Sequence, residues 1–423
     1  MPIPDEPIDL RSGPARNEVR SLLERLIVAG ELAPGTRLVD AELLTLTGSS
    51  RAPLREALNA LEVVHLVEVA PRLSTRVAPV DAARDRDCLE IEGAMMRQVL
   101  VEAAPLVTAA DRAAVRAAAR PLFASARAYR TGVRDREHRR LLDVFVDKVG
   151  NPEYRRVLAH VTPLVDRHAT LNVDAVDAPL RALFRVAIDA ALDGDGPAAG
   201  AAWDEFSNAL RHDVAYAGEV TTTPRKVNST LRDKAAAVIE AEILMGGLVP
   251  GEALRESDLM RWLGVSRTPV REALTLLGHK GLVDLNHQRT VRVSELSPEV
   301  ARDVLRALAV LRALQVRSVI ARNPRELSQA VTMASLEWEA AEDSESILDA
   351  AFELVAPLNE LGANSILKGL AGDLAARMAW TARRLPEAVV ISTRDALREV
   401  RTALIDSDAD AAERAVRRLY VGE

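Results

Sequence analysis

Two arginine pairs, Arg51 with Arg55 and Arg267 with Arg271, are each spaced four residues apart, and each follows a serine, Ser50 or Ser266. Four-residue spacing places both guanidinium groups on one side of a helix. A guanidinium fork matches the O6 and N7 acceptors of guanine, a contact worth about 1–3 kcal/mol of discrimination, and a serine hydroxyl is a short donor suited to phosphate oxygens. The two pairs share a local sequence. Residues 48–58 read Gly-Ser-Ser-Arg-Ala-Pro-Leu-Arg-Glu-Ala-Leu, and 216 positions later residues 264–274 read Gly-Val-Ser-Arg-Thr-Pro-Val-Arg-Glu-Ala-Leu. One exposed arginine pair is ordinarily a solvated helix face. Its repetition in one context argues for two DNA-reading units in a single polypeptide.

The surrounding pattern predicts the elements that hold these side chains. Val19, Leu22, Leu23, Leu26 and Ile27 recur at helical spacing, as do Ala235, Val238, Ile239 and Ile243. Pro34-Gly35 and Pro250-Gly251 then turn the chain, and a short second helix ends at Gly48 or Gly264. A third helix follows, with Pro53 or Pro269 in its first turn and a buried stripe of Leu54, Ala57, Leu58 and Leu61, or Val270, Ala273, Leu274 and Leu277. Short β-rich runs come next, 66–69 with 75–78 and 282–285 with 290–293. Three helices and a β-hairpin make a winged helix-turn-helix. Arg72, near the first hairpin tip, and His287, Gln288 and Arg289, near the second, are expected to reach an adjacent groove or the backbone.

The 216-residue offset holds without a gap from Gly30/Gly246 to Leu66-Val67/Leu282-Val283. Beyond it, Met96–Leu100 stands opposite Leu311–Gln315 at an offset of 215, and Gly150-Asn151 opposite Ala363-Asn364 at 213. The whole unit is doubled. Net charge is −7, yet residues 10–80 hold nine arginines against eight acids and residues 225–294 hold eleven Lys or Arg against eight acids. The surplus acid therefore lies outside the repeated motif, compatible with a local basic surface on each unit. The single cysteine, Cys88, excludes an intramolecular disulfide and is expected as a small buried hydrophobe. No run of eighteen apolar residues and no signal pattern at Met1-Pro2-Ile3-Pro4 is seen, so a cytoplasmic protein without membrane contact is expected.

These residues resemble the GntR family of bacterial transcription regulators. The match runs through Leu248-Val249-Pro250-Gly251, Gly264–Leu274 and Gly281-Leu282-Val283 in the second copy; the first copy is looser, with Ser49 for Val, Ala52 for Thr and His65 for Gly. The resemblance implies DNA contacts at Ser50, Arg51 and Arg55, at Ser266, Arg267, Thr268 and Arg271, and at the wing tips. A family arginine in the second helix is matched here by Ala41 and Ser257. Because Ala52 donates no hydrogen bond, the two modules are expected to differ in preference or affinity.

Residues 82–217 and 297–423 read as Ala- and Leu-rich helices and resemble the all-helical effector domain, called FCD, of the FadR branch. That domain often holds a metal on an Asp and three His. The corresponding positions here are His138, Leu142, Phe184 and about Ser207, then Ala351, Val355, Leu397 and Leu419. Leu, Val and Phe offer no lone pairs to a cation, so no metal and no cofactor is expected. Arg97 and Arg312, at equivalent places in apolar helices, are positioned either to clamp the carboxylate of a small organic effector or to form inter-helix salt bridges.

The resulting expectation is a mainly α chain arranged as a pseudo-twofold single-chain dimer, open to further oligomerisation. It comprises winged helix 1 (10–80), helical domain 1 (82–217), a linker (218–226), winged helix 2 (227–295) and helical domain 2 (297–423). Its expected partner is double-stranded operator DNA, and its expected role is that of a non-enzymatic regulator such as a repressor. The alternative is an interaction protein in which one winged helix binds a protein instead of DNA.

Overall fold

The computed structural model describes residues 16–70, 74–134, 136–172, 178–212, 230–285, 291–338, 344–384 and 394–421. It is mainly helical, and its strands fall into two three-stranded sheets. Contacts divide the chain into two compact units. One comprises 1–150, 155–232 and 268–276; the other comprises 151–154, 233–267 and 277–423. Each thus takes a short segment from the other half of the sequence. The expected linker, 218–226, lies outside the described residues.

Unit 1 begins with a winged helix of α1 (Arg16–Val28), β1 (Arg37–Leu38), α2 (Asp40–Thr47), α3 (Arg51–Val63), β2 (Val67–Ala70) and β3 (Ser74–Val77). The two-residue strand β1 is too short to show a periodicity, and the sequence reading missed it. It pairs antiparallel with β3, giving the order β1-β3-β2. The stripe Leu54, Ala57, Leu58 and Leu61 is buried with Val19, Leu23, Ile27 and Leu43. Gly48 takes φ 60° where α2 stops, the left-handed turn that separates α2 from α3.

The helical part of unit 1 comprises α4 (Ala82–Ala103), α5 (Ala109–Phe123), α6 (Ala126–Arg134), α7 (Glu137–Val149), α8 (Pro152–Leu171, of which 155–171 belong to this unit), α9 (Ala178–Leu192) and α10 (Gly196–His212). Asp81 opens α4 as its N-cap, its carboxylate accepting from the backbone N–H groups of Ala83 and Arg84 at 3.1 Å each. An Asp81→Ala variant is expected to lose about 1 kcal/mol of stability, read from the urea midpoint, because two first-turn donors lose their acceptor. Much of the chain's sparse aromatic content gathers in this bundle. Phe184 meets Phe123, Tyr129, Trp203 and Phe206 at ring separations of 5.4–6.0 Å.

Unit 2 repeats the order with α11 (Leu231–Met245), β4 (Ala253–Leu254), α12 (Glu256–Leu263), β5 (Val283–Leu285) and β6 (Val291–Val293), the sheet order being β4-β6-β5. Between α12 and β5 runs α13 (Arg267–His279), whose residues 268–276 group with unit 1. The helices α14 (Pro298–Arg322), α15 (Pro324–Trp338), α16 (Ser344–Leu361), α17 (Ser365–Arg384), α18 (Arg394–Ile405) and α19 (Ala409–Val421) follow. Ser297 caps α14 at the position equivalent to Asp81, accepting from Val300 N–H at 3.3 Å. No described helix is long and apolar enough to cross a membrane. Cys88 is fully buried, and burial pushes its thiol far above the ordinary range, consistent with a packing role.

Candidate nucleic-acid interface

Helix α3 starts at Arg51 because Ser50 leaves it in extended backbone, φ −90° and ψ 170°. The Ser50 side chain makes no capping hydrogen bond and is exposed, which leaves its hydroxyl available to a partner. Leu54, Ala57, Leu58 and Leu61 turn inward, so Arg51 and Arg55 stand exposed on the opposite side. Just before them, Thr47 is buried and its hydroxyl lies 2.8 Å from that of Ser49. That polar pair occupies the turn where the second copy has Val265. In α13, Val270, Ala273, Leu274 and Leu277 are buried while Ser266, Arg267, Thr268 and Arg271 are exposed.

The arginines are not equally free. Arg267 Nε lies 3.3 Å from Glu256 Oε2 at the start of α12, an exposed ion pair that orients the guanidinium at small energetic gain. Neither Arg51 nor Arg55 has such a pair among the described residues. A further contact was not foreseen: Asn59 Nδ2 donates to Glu272 Oε1 at 3.0 Å, both residues lying in unit 1. Asn59 continues the Arg51–Arg55 stripe by one more helical turn, the only sequence cue to its position. Nearby, Arg232 pairs with Glu62 at 2.6 Å.

The wings differ in their stems. On the first sheet Glu68 and Arg76 stand directly opposite and form an ion pair at 2.7 Å. On the second, Asp284 and Arg292 are likewise opposite, yet Arg292 donates to Gly251 O and Asp284 accepts from Ser294. Arg72, His287 and Gln288, the expected wing-tip contacts, lie outside the described residues.

Comparison with known proteins bears on the repeated segments directly. Residues 15–77 and 231–293 each match the model described as bacterial regulatory proteins, gntR family. Both winged helices are thus similar to that family. Among curated relatives, an uncharacterized HTH-type transcriptional regulator of Streptomyces ambofaciens is 39% identical over 72 residues, 17% of this chain and 30% of that protein. The HTH-type transcriptional repressor GlaR of Escherichia coli (strain K12) is 33% identical over 116 residues, 26% of this chain and 52% of that protein. The chain thus spans about half or less of the length of these relatives. Among solved structures, E. coli McbR/YncC aligns at a TM-score of 0.35 and 20% identity, covering 45% of this chain and 93% of that one.

The GntR-type Gly after the third helix explains one departure. Gly281 takes φ 73°, and His65 in the first copy takes φ 59°, a left-handed conformation that costs a non-glycine residue about 1 kcal/mol. There the His65 ring meets His160 of α8 edge-on at 5.9 Å. Burial, then Arg84 and His160, lower His65 to about 4; burial and Arg20 lower His160 to about 4. Between the ordinary value of 6.5 and about 4 the unfolded chain binds protons that the folded chain refuses, so stability falls as pH drops through that window. Urea midpoints are expected to fall between pH 7 and pH 5, by up to about 1 kcal/mol per pH unit for each ring. A His65→Asn/His160→Gln variant is expected to show a flatter profile.

The helical segments hold no group of three or more His, Cys, Asp or Glu suited to a metal ion among the described residues. At the positions aligned with metal ligands, Leu142 and Phe184 are buried apolar side chains, as are Val355, Leu397 and Leu419. His138 is buried with Nε2 3.5 Å from Asp166 Oδ1. Asp166 belongs to an internal ion network. Arg139 Nη2 lies 2.6 Å from Glu92 Oε1 and 2.9 Å from Asp166 Oδ1, and Thr162 donates to Glu92 at 2.9 Å. Burial opposes the Asp166 charge, but Arg139 and His138 outweigh it and hold the carboxyl well below the usual range. For Glu92 burial dominates and pushes the carboxyl up. Arg136, with φ 62° just before α7, links Asp166 (3.4 Å) to Glu24 of α1 (3.2 Å). Arg97, one of the two clamp candidates, is instead paired with Asp204 at 2.8 Å and is about one-third exposed.

Proposed function

We propose that this chain is a sequence-specific DNA-binding transcription regulator in which two non-identical GntR winged helices, joined in one polypeptide, read the two halves of one operator. The supporting observation is the duplicated reading surface: Ser50, Arg51 and Arg55 on α3, and Ser266, Arg267, Thr268 and Arg271 at α13, are exposed at equivalent positions of two matched domains. A guanidinium near the N-terminus of a helix that backs onto a buried apolar stripe is the arrangement that reaches base edges in a major groove. Joining the heads covalently raises the effective concentration of the second to about millimolar once the first is bound, provided both sites are in reach. In this reading the chain acts as a cytoplasmic, metal-free, pseudo-twofold equivalent of a dimer. Arg72, His287 and Gln288 contact DNA from the wings, and the helical segments respond to a small organic effector.

Selection of random duplex DNA by the purified chain tests the proposal. Enrichment of a site with two half-motifs, inverted and unequal, is the expected result. One half-motif alone would reduce the reading to a single sequence-reading head. No enrichment at moderate salt would overturn it in favour of a partner-binding role.

A further inference from the structure

The first helix of the second winged helix, α11, leaves an apolar face exposed. Its inner side, formed by Ala235, Ala236, Ile239 and Ile243, is buried, as expected of a helix packed on a core. Its outer side is apolar as well. Leu231, Val238 and Met245 recur every seven residues along the one helix and are 62%, 44% and 84% exposed. Ala237 and Ala241 are exposed between them, and the charge within this stripe is that of Lys234. Apolar side chains scattered singly over a surface are ordinary, whereas a continuous stripe along the whole length of a helix marks a contact surface.

The first copy shows that the winged helix does not require such a face. At the offset of 216, Lys234, Ala237, Val238, Ala241 and Met245 correspond to Glu18, Ser21, Leu22, Arg25 and Ala29 of α1. Glu18, Ser21 and Arg25 are exposed and polar, and Leu22 is half-buried. The outer side of α1 is therefore an ordinary solvated face, whereas α11 carries alanines and a methionine in place of its polar groups. Apolar side chains at seven-residue spacing form the seam of a helix pair, and the two alanines let a second backbone approach closely.

We infer that α11 pairs antiparallel with α11 of a second copy of this chain, about a twofold axis at Val238. Such an axis demands a self-complementary face, in which each residue suits its opposite in both directions. About Val238, Leu231 falls opposite the copy's Met245, and Lys234 falls opposite the copy's Glu242, each pairing occurring twice. Neither Lys234 nor Glu242 has an ion-pair partner among the described residues, so both charges are available to the copy. Parallel pairing in register would instead set Lys234 against Lys234 and Glu242 against Glu242, which like-charge repulsion disfavours. The inference goes beyond the regulator reading, and its test uses no DNA, so that either can fail alone.

The experiment is sedimentation velocity of the full chain from about 1 to about 200 μM. One helix pair buries less than the roughly 1,200 Å² of a standard interface, so a reversible rise from the mass of one chain towards that of two is expected within this range. Met245→Gln, at a position exposed enough to leave the fold intact, should raise the dissociation constant about tenfold, because the contact is lost twice per dimer. Lys234→Glu and Glu242→Lys should each weaken pairing, and the double variant should restore it. Arg25→Ala, on the equivalent face of α1, should change nothing. If Glu242→Lys does not fold, Lys234→Glu and Met245→Gln decide. A chain that stays single throughout, or an association that Met245→Gln leaves unchanged, overturns the pairing. Failure of the folded double variant to recover what the single variants lose overturns the antiparallel register. A single chain whose melting temperature falls in Met245→Gln would show that the face is covered from within the same chain, and would overturn the inference in favour of that occupant.

Discussion

Replacing Arg139 with leucine is expected to destabilise unit 1 by about 3–5 kcal/mol, the largest effect of any single substitution considered for this chain. The cause is what remains, more than what is removed. Glu92 and Asp166 would stay buried with their shared cation gone, and among the described residues Thr162, His138 and the more exposed Arg136 would still face them. Glu92 can escape by taking a proton, a course its raised pKa already favours, whereas Asp166 is held ionised by the contacts the variant weakens. The loss should therefore be smaller in acid than at neutral pH. Urea denaturation followed by circular dichroism at pH 5 and pH 8 measures both values. A triple replacement of Glu92, Arg139 and Asp166 by apolar residues of similar volume should recover most of the loss, since removing every charge leaves none unpaired. A loss below about 1 kcal/mol in the single variant would mean that water reaches the site and screens it.

Such a network is hard to read from sequence. Glu92, Arg139 and Asp166 come from three different helices, and in each the charged residue looks like part of a polar face. Only the packing of α4, α7 and α8 brings them together. Local signals behaved differently. The spacing of Leu54, Ala57, Leu58 and Leu61 marked the buried side of α3, and with it the exposed side carrying Arg51 and Arg55, because period and burial are the same information on a short amphipathic helix. The mainly α class with two winged helices followed from the 216-residue repeat for the same reason. The strands Arg37–Leu38 and Ala253–Leu254 were missed because two residues carry no period and pair only through the later strand of each wing. His65 could be recognised as a departure from glycine, but its ring partner His160 lies nearly a hundred positions away in sequence. For the arginines Arg97 and Arg312, equal sequence contexts concealed unequal surroundings: Arg97 pairs with Asp204, whereas Arg312 is buried and donates to the amide oxygens of Gln315 and Asn359.

Arg271→Ala is expected to weaken binding to the selected operator by about 1–3 kcal/mol and to relax preference at one base pair, with little change on random duplex. Arg271 sits one helical turn beyond Arg267 on the exposed side of α13, where loss of a bidentate fork removes discrimination rather than general attraction. Arg267→Ala should cost a similar amount. Part of that loss should be offset because Arg267 no longer has to leave Glu256 on binding, so Glu256→Gln in the otherwise unchanged chain is expected to tighten binding slightly. In the first module Arg51→Ala and Arg55→Ala should cost less, since Ala52 stands where the second module has the hydroxyl of Thr268 and provides one donor fewer to fix the fork. Titrations of operator and random duplex at two salt concentrations separate these effects. A contact to a base lowers affinity for the operator alone, whereas a contact to phosphate lowers both affinities and reduces the salt slope by about one. Equal losses on both duplexes for all four arginines would show that the repeated pairs bind only the DNA backbone, and that sequence is read, if at all, by the wings.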